Sequence, residues 1–459
     1  MLSEASIERL LDRALEVGDF AEVFCERNHQ SLITADTQKV ETSSIGTEAG
    51  VGLRIFRGVE EIYVYSDGHS EENALKLLEQ TAQGMSGGGH RTKKPFNPAS
   101  YKNAQSIGRL HTDVDYGKKL DVVNRALGAG KGYAPEIGQV FVRYLDMCQD
   151  VIIANSDGVF AEDRRVKTRL MIIAYAQDSG GVASGWQGPG AMKGFEFYES
   201  LDIENYARDA ARMAATMLRA EKCQGARMPV VVANGFGGLI FHEACGHSLE
   251  ASAVSKGTSE FSGKMGQLVA SPLVTLIDDG SIKGAWGSLS VDDEGTPTQK
   301  NILIEKGVLK SYMVDRLGAL KMGMPVTGSA RRQNYRFAPT SRMTNTYIES
   351  GASDAQEIIA ATERGLYVRQ INGGSVNPAT GDFNFASSES YLIEKGKIGA
   401  PVSGATLIGN GLQALKNVDM AAGDSAIGEG YCFAGSGALF IGAGQPTVRI
   451  SEMTIGGVR

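Results

Sequence analysis

Apolar and polar residues follow two different periods along the first half of the chain, and each period predicts one kind of element. A helical period indicates helices over residues 3–17, 70–83, 114–129 and 203–222. Alternation at every second residue indicates strands at 21–26, 50–56, 61–65, 139–146, 151–155 and 166–177. This mixture predicts an N-terminal α/β domain in which helices pack on a mixed sheet.

Two stretches interrupt these elements. Residues 84–105 have no apolar period and predict a flexible loop. Residues 179–190 contain too many glycines for the interior of an element, so they predict either a mobile loop over a cleft or a long hairpin tip. The pattern changes after Cys223, and we therefore predict one domain over residues 1–223 and a second over residues 224–459.

The second half has the pattern of a β-rich domain with glycine turns. Helices are predicted at 352–360 and 411–418, and a glycine-rich turn at 234–238 opens into a further helix. The whole chain is thus predicted to have an α+β fold, with this last helix inside the β-rich C-terminal domain. The predicted strands of that domain lie at 228–233, 274–278, 284–291, 301–305, 312–315, 347–349, 366–370, 383–389, 391–394, 402–408 and 447–450.

Composition and charge narrow the classes of function. A length of 459 residues allows two or three domains of about 150 residues each. A net charge of -7, without any sustained run of lysine or arginine, argues against nucleic acid or an anionic membrane as partner. The N-terminus has no signal-peptide pattern and no run of about 18 apolar residues occurs, so we expect a cytoplasmic protein. Five scattered cysteines argue against a disulfide framework.

The strongest chemical signal is the segment HEACGH at residues 242–247 of the predicted helix. A histidine followed by glutamate, with a second histidine soon after, is typical of zinc peptidases. His242 and His247 are five residues apart, which separates them by about 140° on a regular α-helix. Both can bind one ion only if the helix forms a π-type turn or breaks near Gly246. We therefore predict an irregular helix at Gly246.

A catalytic zinc site needs a third protein ligand and an open position for water. Cys245 and Glu250 each lie three residues after one of the histidines, so either could reach the same ion. Glu250 could instead accept a hydrogen bond from an imidazole. Cys432 lies in a glycine-rich stretch that predicts a loop able to approach closely. The residues alone leave all three candidates open, together with a site that holds no metal.

Several blocks of the second half resemble the TldD/PmbA family, known by an older name as modulators of DNA gyrase and understood as zinc metallopeptidases. Residues 240–247 resemble the family's H-E-A-x-G-H helix, and residues 291–299 resemble its acidic turn. Further blocks lie at 342–348, 373–383, 393–399, 405–411 and 444–447. The similarity is strong over about residues 229–459, and the chain is identified as a TldD-type, catalytic member.

The resemblance implies a Zn²⁺ cofactor held by His242, His247 and Cys432, with Glu243 as general base and then proton shuttle. It makes Cys245 a weaker candidate, because that cysteine occupies a variable position of the family's helix. One departure stands out: after the cysteine the family usually continues Gly-Lys-x-Gly-Gln, whereas this chain has FAGSG at 433–437. Any contact made by that lysine is therefore expected to be lost.

Polar residues of the matching blocks are further candidates for contacting the substrate or orienting the ligands. The acidic turn offers carboxylates that could orient a ligand, the arginines could meet a substrate carboxylate, and a tyrosine could stabilise an oxyanion. A solvated turn or a surface ion pair is the alternative reading for each of them. The candidates are Asp292, Asp293, Arg331, Arg332, Tyr335 and Arg342.

The main functional hypothesis is a zinc metallopeptidase that cleaves unfolded or short linear peptides held as extended strands. The resemblance implies a dimer, either with a metal-free PmbA/TldE-type subunit or with a second copy of this chain. One alternative is a non-enzymatic peptide-binding or modulatory subunit with a vestigial site. Another is a thiol-dependent hydrolase that uses Cys245 or Cys432, which requires a thiolate of low pKa beside a histidine.

Overall fold

Three sheets and a two-stranded ribbon form the framework of the computed structural model, which describes residues 1–82, 91–100, 107–377 and 380–458. The helices are α1 (Glu4–Leu15), α2 (Glu71–Ala82), α3 (Tyr116–Lys131), α4 (Glu196–Ser200), α5 (Ile203–Leu218), α6 (Leu239–Phe241), α7 (Ala251–Val254), α8 (Arg316–Met322), α9 (Ala355–Ala360) and α10 (Gly411–Lys416). The strands of the first half are β1 (Phe20–Asp36), β2 (Val40–Arg57), β3 (Glu60–Asp67), β4 (Asn97–Ser100), β5 (Ile137–Asn155), β6 (Val159–Asp178), β7 (Gly181–Gln187), β8 (Gly190–Ala191) and β9 (Glu221–Lys222). Those of the second half are β10 (Ala226–Val232), β11 (Leu276–Asp279), β12 (Lys300–Glu305), β13 (Val308–Leu309), β14 (Ala330–Arg331), β15 (Thr340–Ser341), β16 (Asn345–Ile348), β17 (Arg364–Val376), β18 (Asp382–Glu394), β19 (Lys397–Ser403), β20 (Thr406–Asn410), β21 (Val418–Ala421), β22 (Ala426–Ala434), β23 (Gly437–Gln445) and β24 (Val448–Gly456).

The first sheet contains the predicted N-terminal strands in the order β3-β2-β1-β5-β6-β4, with β7 and β8 also paired to β6. Its pairings are antiparallel except for the parallel pair of β4 and β6. Helices α1 and α2 share one apolar core with β1 and β2, and α3 and α5 share another with β5 and β6. The α+β class predicted from the sequence is confirmed, with helices on a mixed sheet.

The predicted helices of the first half are present with ends shifted by a few residues, and Glu221–Lys222 at the end of the range predicted for α5 forms β9 instead. Ser3 caps α1 by accepting a hydrogen bond from the Ser6 backbone N–H, and Asp202 caps α5 in the same way through Asn205. The apolar face of α1 is buried, as its helical period predicts. Both α3 and α5 have 16 residues. Among the residues that the structure describes, no helix has the length and apolar character needed to cross a bilayer.

The two interrupting stretches behave differently from the predicted loops. Residues 83–90 and 101–106 of the first stretch lie outside the described residues, whereas Asn97–Ser100 forms β4. The expectation of a loop over residues 179–190 was wrong for Gly181–Gln187, which forms β7 on the edge of β6. Helix α5 lies so close to this strand that a Cβ at Gly185 would overlap the Ala210 carbonyl oxygen. Glycine is needed here for close packing rather than for mobility.

Five strands of the second sheet form a closed barrel. The order of this sheet is β17-β10-β24-β20-β18-β19-β9, with β21 paired to β24, and a further pairing of β17 with β18 closes the barrel of the first five strands. The largest apolar core lies within and around this barrel. The boundary predicted after Cys223 falls between β9 and β10, which both belong to this sheet. As the limit of a folding domain, it stays a prediction.

The third sheet has the order β13-β12-β11-β16-β23-β22, so that the hairpin of β22 and β23 forms one end of it. The sequence missed this hairpin, because its glycines predict a loop. Residues 284–291 were wrongly predicted as a strand. They follow an irregular path in which the Gly287 N–H donates to Asn345 and the Trp286 ring N–H donates to the Gly430 carbonyl. Residues 312–315 also form no strand beyond one bridge at Met313.

Buried ion pairs join the first sheet to the second half of the chain. Arg332 donates to Glu22 at 2.6 Å, and Arg165 donates to Asp293 at 2.6 Å. Arg54 pairs with Glu294 in the same region. All of these side chains are almost fully buried. Each pair therefore compensates a charge on one half of the chain with a charge on the other.

Candidate metal centre

The segment that contains the two histidines is an interrupted helix. Helix α6 continues into a π-turn over His242–Gly246 and then a 3₁₀ turn over His247–Leu249, before α7. The prediction that a regular helix could not pass through Gly246 is confirmed. The wider turn brings the two imidazole rings to a centroid distance of 5.4 Å, with their planes at 85°. The additional residue between the histidines is thus accommodated by the local backbone.

Close packing at two glycines holds this irregular segment in place. At Gly238, just before α6, a Cβ would overlap the backbone of Gly444 in β23. At Gly246, at the end of the π-turn, a Cβ would overlap the sulfur of the buried Met343. The backbone of Gly246 is right-handed helical, so its requirement for glycine comes from this neighbour rather than from its φ angle.

Gly246→Ala should therefore lower the free energy of unfolding by about 1–3 kcal/mol, the usual cost of forcing an additional methyl group into a packed interior. Urea denaturation of the two proteins measures the difference. The loss should shrink in a Met343→Ala background, because that substitution removes the overlapping atom. Equal losses in both backgrounds would contradict the assignment of the strain to Met343.

Four side chains meet at the π-turn. The donor atoms of His242, Glu243, His247 and Cys432 all lie within 4.8 Å of one another. His247 Nε2 lies 3.1 Å from Cys432 Sγ and 3.6 Å from a Glu243 carboxylate oxygen. Cys432 comes from β22 of the hairpin, not from a loop as its sequence predicted. The arrangement joins residues separated by almost two hundred positions into one group.

The surroundings of His242 show whether this cluster of four side chains suits a metal ion. Its side chain is fully buried, and neither ring nitrogen has a hydrogen-bond partner among the described residues. Burial, followed by the positive fields of His247 and Arg342, holds its pKa well below the usual range, so the imidazole is neutral. Burying an unpaired polar group is costly, whereas a neutral imidazole is the form that binds a metal. The donor set therefore fits a metal ion.

A contact with Glu250 fixes the orientation of the His247 ring. Its Nδ1 lies 3.1 Å from Glu250 Oε1, which leaves Nε2 facing Cys432. Burial acts to lower the pKa of His247, but the charge of Glu250 and the hydrogen bond with Cys432 outweigh it and hold this pKa well above the usual range, so an ion would have to displace a proton from this ring. Arg342 Nε lies 3.6 Å from the same Glu250 oxygen. Glu250 thus occupies the position of an acceptor for the histidine, one of the two possibilities that the sequence left open.

Glu243 lines a cleft of about 770 Å³ together with His247, Glu250 and Arg342. Burial raises the pKa of its carboxyl, although the charge of His247 opposes that rise. A carboxylate whose pKa is raised accepts a proton more readily than an exposed one near neutral pH. The cleft therefore places a suitable base beside the cluster.

Cys245 lies apart from the cluster. It is fully buried in the largest apolar core, and burial raises the pKa of its thiol well above the usual range. A thiol in such surroundings is a poor nucleophile. Although it follows His242 by only three residues, it packs in the core and belongs neither to the cluster nor to the cleft lining.

Of the six further candidates, only Arg342 lines the cleft. Its Nη1 donates to Ser436 Oγ at 3.0 Å, and its buried Nη2 has no partner among the described residues. Arg331 is buried and donates to the carbonyl oxygens of Met343 and Phe440. Among these six candidates, Arg342 is therefore the one best placed to contact a molecule in the cleft.

The other four candidates face the N-terminal sheet or its connections. Asp292 accepts hydrogen bonds from backbone N–H groups of its own turn, and Tyr335 donates its hydroxyl hydrogen to Asp67. Asp293 and Arg332 belong to the buried ion pairs between the two halves. The structure does not bring these four residues to the cleft.

Sequence reasoning missed the outer wall of the cleft. Lys256, Val376 and Phe433 line it, and Phe433 is 75% exposed. The sequence signal for Phe433 was its place in the segment that departs from the family pattern. Lys256 and Val376 gave no signal that could distinguish them from other surface residues.

Comparisons with known proteins match these observations along the whole chain. Residues 21–83 match the PmbA/TldA metallopeptidase domain 1, residues 109–218 the central domain and residues 225–457 the C-terminal domain of that family. The metalloprotease TldD homolog of Buchnera aphidicola is 34% identical over 466 residues, which covers 98% of this chain and 95% of that protein. The metalloprotease TldD homolog of Haemophilus influenzae is 33% identical over 452 residues, or 96% of this chain and 93% of that protein.

The fold also has a counterpart among solved structures. The crystal structure of TldE from Thermococcus kodakarensis superimposes with a TM-score of 0.79 and covers 98% of this chain and 100% of that chain. At 17% identity, this likeness concerns the fold alone. The sequence matches carry the relationship further, because all three family domains and nearly full-length relatives agree. The chain therefore belongs to the PmbA/TldD family, whose relatives named above are metalloproteases.

Proposed function

We propose that the chain is a zinc metallopeptidase that hydrolyses unfolded or short linear peptides. The observation that carries this proposal is the buried imidazole of His242, whose two nitrogens have no partner among the described residues although three other potential donors lie within 4.8 Å. A site of this kind is costly to keep in a protein unless an ion completes it.

His242, His247 and Cys432 would hold the ion. Two imidazoles and a thiolate suit zinc, and three protein ligands leave a position for water, as in catalytic zinc sites. When bound, zinc lowers the pKa of water to about 7 and polarises a carbonyl. Glu250 fixes the ring of His247 through its Nδ1, and Arg342 contacts Glu250 from the other side. These two residues orient the ligands.

Glu243 would act as the proton carrier. Its carboxylate takes one proton from the attacking water as the new C–O bond forms, and it passes that proton to the amine when the C–N bond breaks. The cleft position and the raised pKa of Glu243 support this role. Arg342, which also lines the cleft, would contact a carbonyl or carboxylate oxygen of the peptide.

The peptide would bind as an additional strand. Strand β22, which carries Cys432, is the last strand of the third sheet and has no strand partner on its outer edge among the described residues, although Arg169 and Trp286 already donate to the carbonyl oxygens of Glu429 and Gly430. An extended peptide can form main-chain hydrogen bonds with such an edge, largely without regard to its sequence. Only an unfolded segment can offer its backbone in this way, which accounts for the proposed substrate class.

We also propose that the chain works as a dimer, either with a metal-free TldE-type subunit or with a second copy of itself. The likeness of its fold to TldE supports the first arrangement, because two subunits of one fold can pair through equivalent surfaces. The cytoplasmic location stays a prediction from the sequence.

Metal removal tests the proposed function. The chain from zinc-replete medium should contain about one zinc, and it should cleave a reduced, unfolded protein faster than the same protein folded. Treatment with a chelator should abolish cleavage, and zinc should restore it. The assay is performed on the chain alone and with a TldE-type subunit, since the active form can require both.

Three other results would each argue against a zinc metallopeptidase. Cleavage that survives complete zinc removal would contradict the metallopeptidase. Less than about a tenth of a zinc per chain, with peptide binding but no cleavage, would indicate a vestigial site. Cleavage that resists the chelator and is lost on alkylation would favour a thiol hydrolase, since Cys432 and His247 are 3.1 Å apart.

A further inference from the structure

A second cavity, of about 340 Å³, lies on another side of the β22–β23 hairpin. It is enclosed by β5 and β6 of the first sheet, by the segments around Leu289 and Arg332, and by the hairpin residues Tyr431 and Phe440. It shares no lining residue with the cleft at the metal centre. The proposed peptidase chemistry gives this cavity no role.

Positive charge dominates its lining. The cationic residues are Arg143, Arg165, Lys167, Arg331 and Arg332, and the carboxylates are Glu48 and Asp293. Both carboxylates already have cationic partners, because Asp293 pairs with Arg165 and Glu48 pairs with Arg336 outside the cavity. Arg332 is compensated by Glu22. The remaining three basic residues, Arg143, Lys167 and Arg331, have no carboxylate partner among the residues that the structure describes.

Lys167 is the most deeply buried of these three residues. Its side chain is 1% exposed, its Nζ donates to the Trp286 carbonyl oxygen, and the ring of Phe440 lies 5.0 Å away. It forms no ion pair with any carboxylate of the described residues. Burial, together with the charges of Arg331 and Arg165, holds its pKa well below the usual range. An amine so buried is favoured in its charged form only when an anion comes beside it.

Arg331 also forms no ion pair among the described residues, although the nearby charges of Asp293 and Asp278 favour its charged form. It is 2% exposed, its terminal nitrogens donate only to carbonyl oxygens, and its Nε has no partner among the described residues. Burial lowers its pKa to about 10. Arg143, which is exposed, also lines the cavity and forms no ion pair within the described part of the chain. Three basic side chains without a carboxylate partner among the described residues thus line one cavity.

We infer that this cavity binds a compact oxyanion, a phosphate group or a carboxylate, between the buried Lys167 and Arg331, with the exposed Arg143 in its lining. The cavity is too large for a single ion, and its polar lining suits an anion that carries a short stem. Charge-assisted hydrogen bonds to such an oxyanion would satisfy donors that the protein leaves free. Both a free phosphorylated molecule and the C-terminal carboxylate of a peptide present this chemistry.

Calorimetry of the full chain with inorganic phosphate, at constant ionic strength set with chloride, tests the inference. We expect saturable binding with one site. Lys167→Met should weaken it by about tenfold or more and Arg143→Gln by about threefold, because each removes a charge-assisted contact. Arg208→Gln, which removes an exposed arginine far from the cavity lining, should change nothing.

A second arm distinguishes the two sources of the oxyanion. A short peptide with a free C-terminus and its amidated form are titrated into the Glu243→Gln variant, which cannot cleave them. Tighter binding of the free peptide than of phosphate, lost on amidation and weakened in a Glu243→Gln/Lys167→Met double variant, would identify a chain terminus in this cavity, whereas the reverse order would identify a free phosphorylated molecule.

The inference is overturned if phosphate does not saturate, or if its affinity is the same in the Lys167→Met and Arg143→Gln variants as in the original chain. Because Lys167 is buried, circular dichroism must show that the Lys167→Met variant is folded. If that variant is unfolded, the phosphate affinity of the exposed Arg143→Gln variant alone tests the inference. Binding is measured without turnover, so a failure of the proposed peptidase activity leaves this result interpretable.

Discussion

Glu243→Gln should abolish peptide hydrolysis while the chain keeps its zinc. The substitution preserves the shape of the side chain and removes the group that accepts a proton from water. General-base catalysis typically contributes about 10²–10⁴-fold, so kcat should fall by at least this amount. The metal content should not change, because His242, His247 and Cys432 remain. Cleavage of an unfolded protein and elemental analysis of the same sample measure the two quantities.

Glu260→Gln is the matched control for this experiment. Glu260 is another partly buried glutamate of the same half, and burial raises its pKa to about 7, but it lies outside both the cluster and the cleft. Its substitution should leave kcat within a factor of about two, as expected for a site that makes no contact with the reacting groups. Unchanged turnover of Glu243→Gln would rule out the assigned role of Glu243. Loss of zinc would show that this carboxylate is itself a ligand.

Cys432→Ala should remove the metal. Changes at residues that only support a zinc ligand already cost 10–100-fold in affinity, so loss of the ligand itself should cost more than about a hundredfold. The variant should be purified without zinc and should fail to cleave peptide, and titration against a chromogenic chelator gives its affinity. The effect on folding should be small, because Cys432 lies in a short apolar cluster beside Phe236 rather than in the main core.

Cys245→Ala separates the two cysteines that the residues alone left open and that only the family resemblance ranked. Both are buried cysteines, but Cys245 packs in the main apolar core, so its loss should leave zinc affinity unchanged and affect stability alone. The opposite result, with zinc lost from Cys245→Ala and kept by Cys432→Ala, would reverse the assignment. Loss of zinc from neither variant would indicate a site with other ligands.

The π-turn is the part of the centre that the sequence predicted best. The angular separation of His242 and His247 on a regular helix is a matter of geometry alone, and it required an irregular turn without any knowledge of tertiary structure. The position of Cys432 beside the two histidines could not be predicted in that way. Its candidacy as the third ligand came from the family resemblance, because nothing local relates β22 to a helix almost two hundred residues earlier.

The hairpin itself was hidden by its glycines. Strand propensity is low for glycine, so Ala426–Gln445 lacks the usual pattern of a strand pair. A Cβ at Gly428 or Gly430 would approach Phe236 at 2.7–3.0 Å, which is too close, so these strands need glycine for tertiary packing. Local propensity and long-range packing therefore gave opposite indications, and packing prevailed.

The polar candidates show a different limit. Asp293 and Arg332 are charged residues of the kind that contact substrates. Nothing in the sequence distinguishes them as candidates from Arg342, which does line the cleft. What distinguishes them is a partner: Arg332 meets Glu22, a residue 310 positions earlier. A single sequence contains no record of which charges become buried together. Burial and pairing at such distances had to come from the structure.

The buried ion pairs between the first sheet and the second half restrict which sequences can replace one half of this chain. A chimera that joins one half of this chain to the other half of a relative would leave a charge such as Glu22 or Arg332 unmatched in its interior, unless the relative supplied the opposite charge at the partner position. Removing one partner of a buried pair commonly costs about 3–5 kcal/mol, a large part of the stability of a typical domain. Either half of this chain can therefore be exchanged only for one that carries the matching charges.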